Sequence, residues 1–307
     1  MPQNKPALPS PLLHSVFEGL ANNIEKDEEF KNSFTLFLNS LIGGRNGLHI
    51  ESIHEVRTEL SLPADGSRRR TYRLDLVVVS SVGDFCLVEI QLYRLEHIVP
   101  KMIQYLGRHL SDRAAKGFTD YSMPKYALIG LIDYHHRLFA GEPNYHLYTT
   151  MLIDNAQNKR LTEQLQFHLV SLHRYIELGQ VPAPGDELAA WMHYFAYGYH
   201  NEEEKRRLFG MSESVKSLDR NYQQVVVDPE LARKAQQELM LIQELNTQLR
   251  IERHEGLEEG LSKGREEGRE EERVAVARNA LAKGYDLADI AELTGLSVEE
   301  IAKLKPR

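Results

Sequence analysis

At 307 residues, the chain has room for one large domain or two, and its composition (42% hydrophobic, 27% charged, 8% aromatic) is that of a globular protein with a real core. A formal net charge of −8 excludes a uniformly basic nucleic-acid binder, but the acidic residues gather toward the C-terminal end and leave room for a local basic patch. No charged-then-apolar leader opens the chain and no uncharged run reaches roughly 18 residues, so neither secretion nor membrane spanning is expected.

Residues 1–12 are proline-rich and polar, which predicts a mobile arm. From about Ser15 to Leu41 the spacing is helical, with Phe30, Phe34, Phe37, Leu38 and Leu41 on one apolar stripe that reads as core. The segment from Ile50 to Leu62 has a β-compatible start, and Pro63-Ala64-Asp65-Gly66-Ser67 makes a turn. Arg68, Arg69, Arg70 and Arg73 follow. They are either phosphate contacts beside a charged site or an arginine-rich edge that discourages strand pairing between molecules.

The stretch from Arg73 to Gln91 reads as two apolar strands joined by a tight turn, with Val77–Val79 in the first run and Phe85, Leu87, Val88 and Ile90 in the second. Its cysteine, Cys86, is the only one in the chain; it reads as a small core residue, and its lack of a disulfide partner fits a reducing cytoplasm. A three-residue loop of Ser81, Val82 and Gly83 pairs Ser80 with Asp84, Val77 with Leu87 and Asp75 with Glu89. Gly83 supplies the left-handed residue that such a loop needs. In that register Asp75, Glu89 and Gln91 share one face, whereas a two-residue loop sends the two carboxylates to opposite faces. Adjacent carboxylates repel unless a cation sits between them or one is protonated, and oxygen ligands suit magnesium or manganese. The bland alternative is a solvated strand face paired with nearby arginines.

After Gln91 the chain is helical to about Ala115, with Met102, Tyr105, Leu106, His109 and Leu110 on the packed side. Lys101, Gln104, Arg108 and Asp112 recur on a second, polar side, which by itself reads as a solvated helix face. Lys116-Gly117 ends this helix, and Tyr126–Ile132 is a buried strand expected to run parallel to its neighbours. His135 and His136 are adjacent, but side chains at i and i+1 diverge and no third ligand has zinc-site spacing. Tyr145–Ile153 and Phe167–Leu172 are further strand candidates, with a helical Asn155–Gln164 between them. Pro182-Ala183-Pro184-Gly185 is a loop, and Glu187–Tyr199 is a helix whose Trp191, Tyr194, Phe195 and Tyr197 fit a core better than a base-stacking platform.

From about Asn201 long charged helices take over, Pro229–Arg253 being the strongest helix former. Gly256, Gly260, Gly264 and Gly268 then recur every fourth residue among Glu and Arg, a low-complexity helical spacer too charged for a membrane. Within Val274–Leu304, the segment Ile290–Ile301 resembles a helix-turn-helix, with a Gly295 turn and Ser297 as N-cap. Its second helix opens with Val298, Glu299 and Glu300 before Lys303, so a packing or oligomerising role competes with DNA reading.

Asp75, thirteen residues, then Glu89-Ile90-Gln91 resembles the core of the PD-(D/E)XK nuclease superfamily, and more narrowly the Rpn group of recombination-promoting nucleases related to transposases. The segments Asp27–Ile42 and Lys101–Asp133, and the Glu/Gly/Arg-rich tail with its short helical end, are similar to that group in order and spacing. The resemblance implies an α/β fold of the restriction-endonuclease-like kind, a mixed sheet flanked by helices with a helical C-terminal extension. It divides the chain into a nuclease-like domain over 1–200, a helical extension over 201–253, the spacer over 254–273 and a helix-turn-helix-like unit over 274–307.

It also implies a metal-dependent DNA endonuclease using Mg2+ or Mn2+, with Asp75, Glu89 and the Ile90 carbonyl holding the metal and Gln91 orienting a water, in the cytoplasm that the lone cysteine already suggests. Gln91 stands where the wider superfamily has Lys, a replacement common in this group. Glu29 or Glu51 is a candidate further acid, and Arg68, Arg69, Arg70, Arg73, Lys101, Gln104 and Arg108 are candidate DNA contacts. The competing readings are a catalytically weak DNA-binding accessory protein, or one that forms homo-oligomers through the C-terminal helices; a regulator acting through the terminal helices; or a nuclease for RNA.

Overall fold

A computed structural model describes residues 8–43, 48–57, 75–92, 97–115, 123–150 and 161–304. They form two compact units, Met1–Gln243 and Glu244–Arg307.

The hairpin is the centre of the first unit. Strands β2 (Leu76–Ser80) and β3 (Phe85–Gln91) pair antiparallel with Val77 opposite Leu87, the register of a three-residue loop. The Ser80 N–H donates to the Asp84 carbonyl at 2.9 Å, and Gly83 takes φ +85°. Strand β1 (Ile53–Arg57) flanks β2 antiparallel, with a bulge between Ile53 and Glu55. On the other side β4 (Tyr126–Ile132) runs parallel to β3, and β6 (Leu165–Ser171) runs parallel to β4. Strand β5 (His146–Thr150) closes that edge antiparallel to β6, giving the order β1-β2-β3-β4-β6-β5. The expected Tyr126–Ile132 strand is thus parallel to both neighbours and buried along its length, as a near-continuous apolar run requires.

Alternation along β2 and β3 sorts their side chains between two cores. Leu76, Val78, Cys86, Val88 and Ile90 face helices α1 (His14–Ile24) and α2 (Glu28–Ile42), while Val77, Val79, Phe85 and Leu87 face α3 (Ile98–Ala115). The α1 and α2 side also receives α4 (Leu172–Glu177), α5 (Glu187–His193), α6 (Glu202–Phe209) and α7 (Glu213–Val226). Trp191 stacks on Phe37 at 4.4 Å there, so the aromatic group is core.

Several expected boundaries move for local reasons. The helical stretch from Ser15 to Leu41 is two helices, because the Asp27 carboxylate accepts the Phe30 N–H at 3.0 Å and starts α2 afresh. The helix expected to reach Tyr199 leaves α geometry at His193 and passes through a π-helical turn over Tyr194–Gly198. Residues 8–12 are not a mobile arm: Leu12 is buried and the Tyr222 hydroxyl donates to the Pro9 carbonyl at 2.6 Å. Of the expected helix Asn155–Gln164, residues 155–160 lie outside the described residues and 161–164 are not helical. Lys116-Gly117 and residues 151–153 of the expected Tyr145–Ile153 strand also lie outside them.

Helix α8 (Pro229–Ala282) runs unbroken through the four spaced glycines. Ala235 near its start is buried in the first unit's core, and Ala277 and Ala280 near its end in the second's. Packing at both ends, with ion pairs such as Lys263–Glu259 at 2.6 Å, carries helix across a segment that would be marginal alone. The second unit gathers Ala277 and Ala280 around α9 (Leu287–Thr294) and α10 (Val298–Lys303), with Ile290, Leu296 and Ile301 inside. Among the described residues no helix is long and apolar enough to cross a membrane.

Gly130 sets how closely α3 lies on the sheet. It stands opposite Glu89 in the parallel register, and a Cβ there would come within 2.8 Å of Leu169 Cδ2, 3.1 Å of Ile98 Cδ1 and 3.2 Å of Met102 Sδ. Gly130→Ala is expected to lower unfolding free energy by about 1–3 kcal/mol through overpacking. Urea denaturation measures this, and an unchanged midpoint would show that α3 has slack at that point.

Candidate active site

The sequence ends β3 on Glu89, Ile90 and Gln91 and places Asp75 one residue before β2, so the hairpin register sets the acids side by side. Both are withdrawn from water, Asp75 at 8% exposure and Glu89 at 2%. The Ile90 N–H donates to Asp75 Oδ2 at 2.6 Å, and His14 Nδ1, at the start of α1, lies 2.6 Å from Asp75 Oδ1. An ionised carboxylate only accepts, so the His14 nitrogen is the donor. Lys101, one turn into α3, ion-pairs with Glu89 Oε1. Its ammonium also lies 5.6 Å from the centre of the Tyr105 ring, four residues on. Glu89 Oε2 is buried with no hydrogen-bond partner among the described residues.

Burial raises the Glu89 pKa, the Asp75 charge raises it further, and Lys101 opposes both. Burial also works against the Lys101 charge, but Glu89 outweighs it and holds the ammonium above its ordinary range. Tyr105 is pushed up to about 12, by burial first and Glu89 second.

The expected residues divide clearly. Asp75, Glu89 and Lys101 come together, and buried Gln91 shares the Glu89 face. The Ile90 side chain points into the opposite core, but its N–H meets Asp75; backbone N–H and C=O of one strand residue address the same neighbour, which puts its carbonyl on the Asp75 side. Gln104 and Arg108 are exposed on α3. Arg68, Arg69, Arg70 and Arg73 lie outside the described residues. Glu29 is turned away, paired with Arg220 at 2.8 Å, and Glu51 is exposed; in place of an acid from α2, α1 supplies His14. His14 carried no spacing signal, because it reaches Asp75 only through tertiary packing. His136 is buried and caps the Leu138 N–H at 3.2 Å, a structural use of the adjacent histidines.

A divalent cation suits this donor set. Two carboxylates and a strand carbonyl are hard oxygen ligands, and Glu89 Oε2, without a hydrogen-bond partner among the described residues, is open to a cation in place of a proton. Among the described residues no group of three or more His, Cys, Asp or Glu is arranged to hold a metal. The coordination would therefore be completed by water and substrate oxygens, as magnesium sites commonly are.

In the second unit, Gly295 at φ +71° ends α9. Ser297 then caps α10, with Glu300 closing a reciprocal capping box. The Glu300 carboxylate accepts the Ser297 N–H at 2.8 Å, so that acid is engaged at its own helix terminus.

The raised Glu89 pKa has a measurable sign. Between about 4.5 and about 8 the folded protein keeps a proton that the unfolded chain has released. Without metal, stability is therefore expected to fall as pH rises through that window. Thermal melts in EDTA across it check this; Glu89→Gln should flatten the slope, and a slope unchanged in the variant would assign it to another group.

No curated protein and no solved structure matches the chain significantly. Two family models do: PD-(D/E)XK nuclease family transposase over residues 26–250, and the C-terminal HTH domain of the Rpn/YhgA-like nuclease family over 270–306. The mixed sheet with flanking helices agrees with the restriction-endonuclease-like α/β fold of the first. Chain order, sheet and terminal helices converge, and the chain belongs to the PD-(D/E)XK nuclease family transposases.

Proposed function

We propose that this protein is a magnesium-dependent DNA endonuclease of the recombination-promoting, transposase-like kind, with manganese as a working substitute. The observation that carries the reading is the buried Asp75–Glu89 pair, with one Glu89 oxygen left without a hydrogen-bond partner among the described residues. Asp75, Glu89 and the Ile90 carbonyl would hold the metal. Bound there, a divalent cation polarises the scissile phosphate and lowers the pKa of a water.

The remaining roles belong to the chain's own side chains. Gln91, on the Glu89 face, orients the attacking water by hydrogen bonding, but it cannot supply positive charge. Lys101 supplies that charge from α3. Its ammonium is already held at Glu89, where negative charge would build up on the phosphate in the transition state. Gln104 and Arg108, exposed on the same helix, and Arg68, Arg69, Arg70 and Arg73 before the hairpin are the candidate contacts to the DNA backbone. The terminal helices add a second DNA contact, which supports a protein that places its nuclease rather than degrading at random.

Supercoiled plasmid incubated with Mg2+, Mn2+ or EDTA tests the centre. Wild type should nick in either metal and not in EDTA, and Asp75→Ala should lose nicking while still binding DNA. Equal nicking by both proteins would place the chemistry elsewhere, and retained binding with no nicking by wild type would favour a DNA-binding accessory role. Lys101→Ala should slow nicking about 10²–10³-fold, with Lys101→Arg recovering part of it. Full activity in Lys101→Ala would remove it from the mechanism.

A further inference from the structure

The contact between His14 and Asp75 depends on a part of the chain far from the hairpin. His14 is the first residue of α1, and two carboxylate oxygens from α8 hold that end. The His14 N–H donates to Glu238 Oε1 at 2.5 Å; the Ser15 N–H and hydroxyl both donate to Glu238 Oε2 at 2.9 Å. A negative charge at a helix N-terminus satisfies donors that the helix leaves open. Here that charge comes from 224 residues downstream.

The rest of α1 is seated against the same downstream helices. A Cβ at Gly19 would stand 2.7 Å from Val225 Cγ1 and 3.2 Å from Leu231 Cδ1, so α1 lies as close to α7 and α8 as a bare backbone allows. Leu12 and Leu13, just before α1, are buried, and Tyr222 of α7 holds the Pro9 carbonyl. The backbone of His14 is therefore held by α7 and α8, while its ring nitrogen Nδ1 reaches Asp75.

We propose that His14 and Glu238 are positioning residues of the metal centre. Glu238 fixes the start of α1, and His14 orients the Asp75 carboxylate toward the cation. This rests on the nuclease reading above. Asp75 Oδ2 takes the Ile90 N–H and Oδ1 takes His14, which fixes the carboxylate plane from two sides. Each carboxylate oxygen keeps a second lone pair for a metal. Hydrogen bonds of this kind to a ligating carboxylate typically change metal affinity about 10–100-fold. The first turns of α8 thus belong functionally to the active centre, although they lie outside the hairpin and helix that carry Asp75, Glu89 and Lys101.

Full-length wild type, Asp75→Ala, His14→Ala, His14→Asn and Glu238→Gln would be titrated with Mn2+ alone, the free ion being read by its electron paramagnetic resonance signal. Wild type should bind and Asp75→Ala should not. His14→Ala should weaken binding about tenfold or more. His14→Asn, whose side-chain amide can donate from a similar point, should recover most of the loss. Glu238→Gln keeps size but has one acceptor oxygen for three donors, so it should weaken Mn2+ several-fold without altering any group that touches Asp75. Binding by His14→Ala within twofold of wild type would overturn the proposal, as would His14→Asn behaving like His14→Ala. Normal binding by Glu238→Gln would remove the α8 clamp. Absence of binding in wild type as well would overturn the nuclease reading itself, and this proposal with it.

Discussion

The site depends on the placement of two carboxylates side by side beneath the surface. Both ionised and about 4 Å apart, two such groups would repel by roughly 4 kcal/mol at an effective dielectric near 20, on top of the cost of leaving water, and the raised Glu89 pKa expresses that cost. The protein answers unevenly. Asp75 has a backbone N–H and an imidazole, and Glu89 has an ammonium on one oxygen and nothing among the described residues on the other. A buried acceptor without a partner costs about 1–3 kcal/mol, and more when it is charged. Folds tolerate such local violations mainly where function requires them. The unpartnered oxygen, open to a proton or a cation, sets this pair apart from the paired acids that occur on ordinary solvated faces.

The hairpin was legible in the sequence because its determinants are local. Turn length, a glycine at the left-handed position and period-two alternation settle which residues face each other, and they settled Val77 against Leu87. Tyr126–Ile132 was legible for the same reason, as a continuous apolar run bounded by Pro124. Helix boundaries were less so. The break at Asp27 has a capping signal, but an apolar stripe that runs on through α2 masks it in a periodicity reading. The length of α8 was hidden differently: glycine propensity is a local penalty, and it is overruled by packing at distant ends of the helix.

At the site, what the sequence could show divides along the same line. Asp75, Glu89 and Gln91 share a hairpin and announce one another by spacing. Lys101 was visible only as a member of a polar helix face together with Gln104 and Arg108, and α3's own periodicity cannot say which of the three reaches inward. The close seat of α3 over Gly130 selects Lys101. His14 and Glu238 had no signal, because their contact spans most of the chain and involves backbone donors that every helix start possesses.

Under the proposed nuclease function, Gln91 raises the question of how phosphate cleavage could work without a cation in the third position of the strand motif. In the strand a Lys would carry its charge on a flexible stem beside the metal, tied to β3 itself. Lys101 carries the same charge from a helix that packs on β3, so its position depends on how far α3 stands from the sheet. Met102, Tyr105 and Leu106 bury the inner side of α3 and fix its rotation, and Gly130 permits its height. In that reading, moving the charge from strand to helix would free the strand position for a neutral hydrogen-bonding group, which could orient a water without repelling a metal. The charge and the water would then be controlled by separate elements, and a change in α3 packing would alter one without the other.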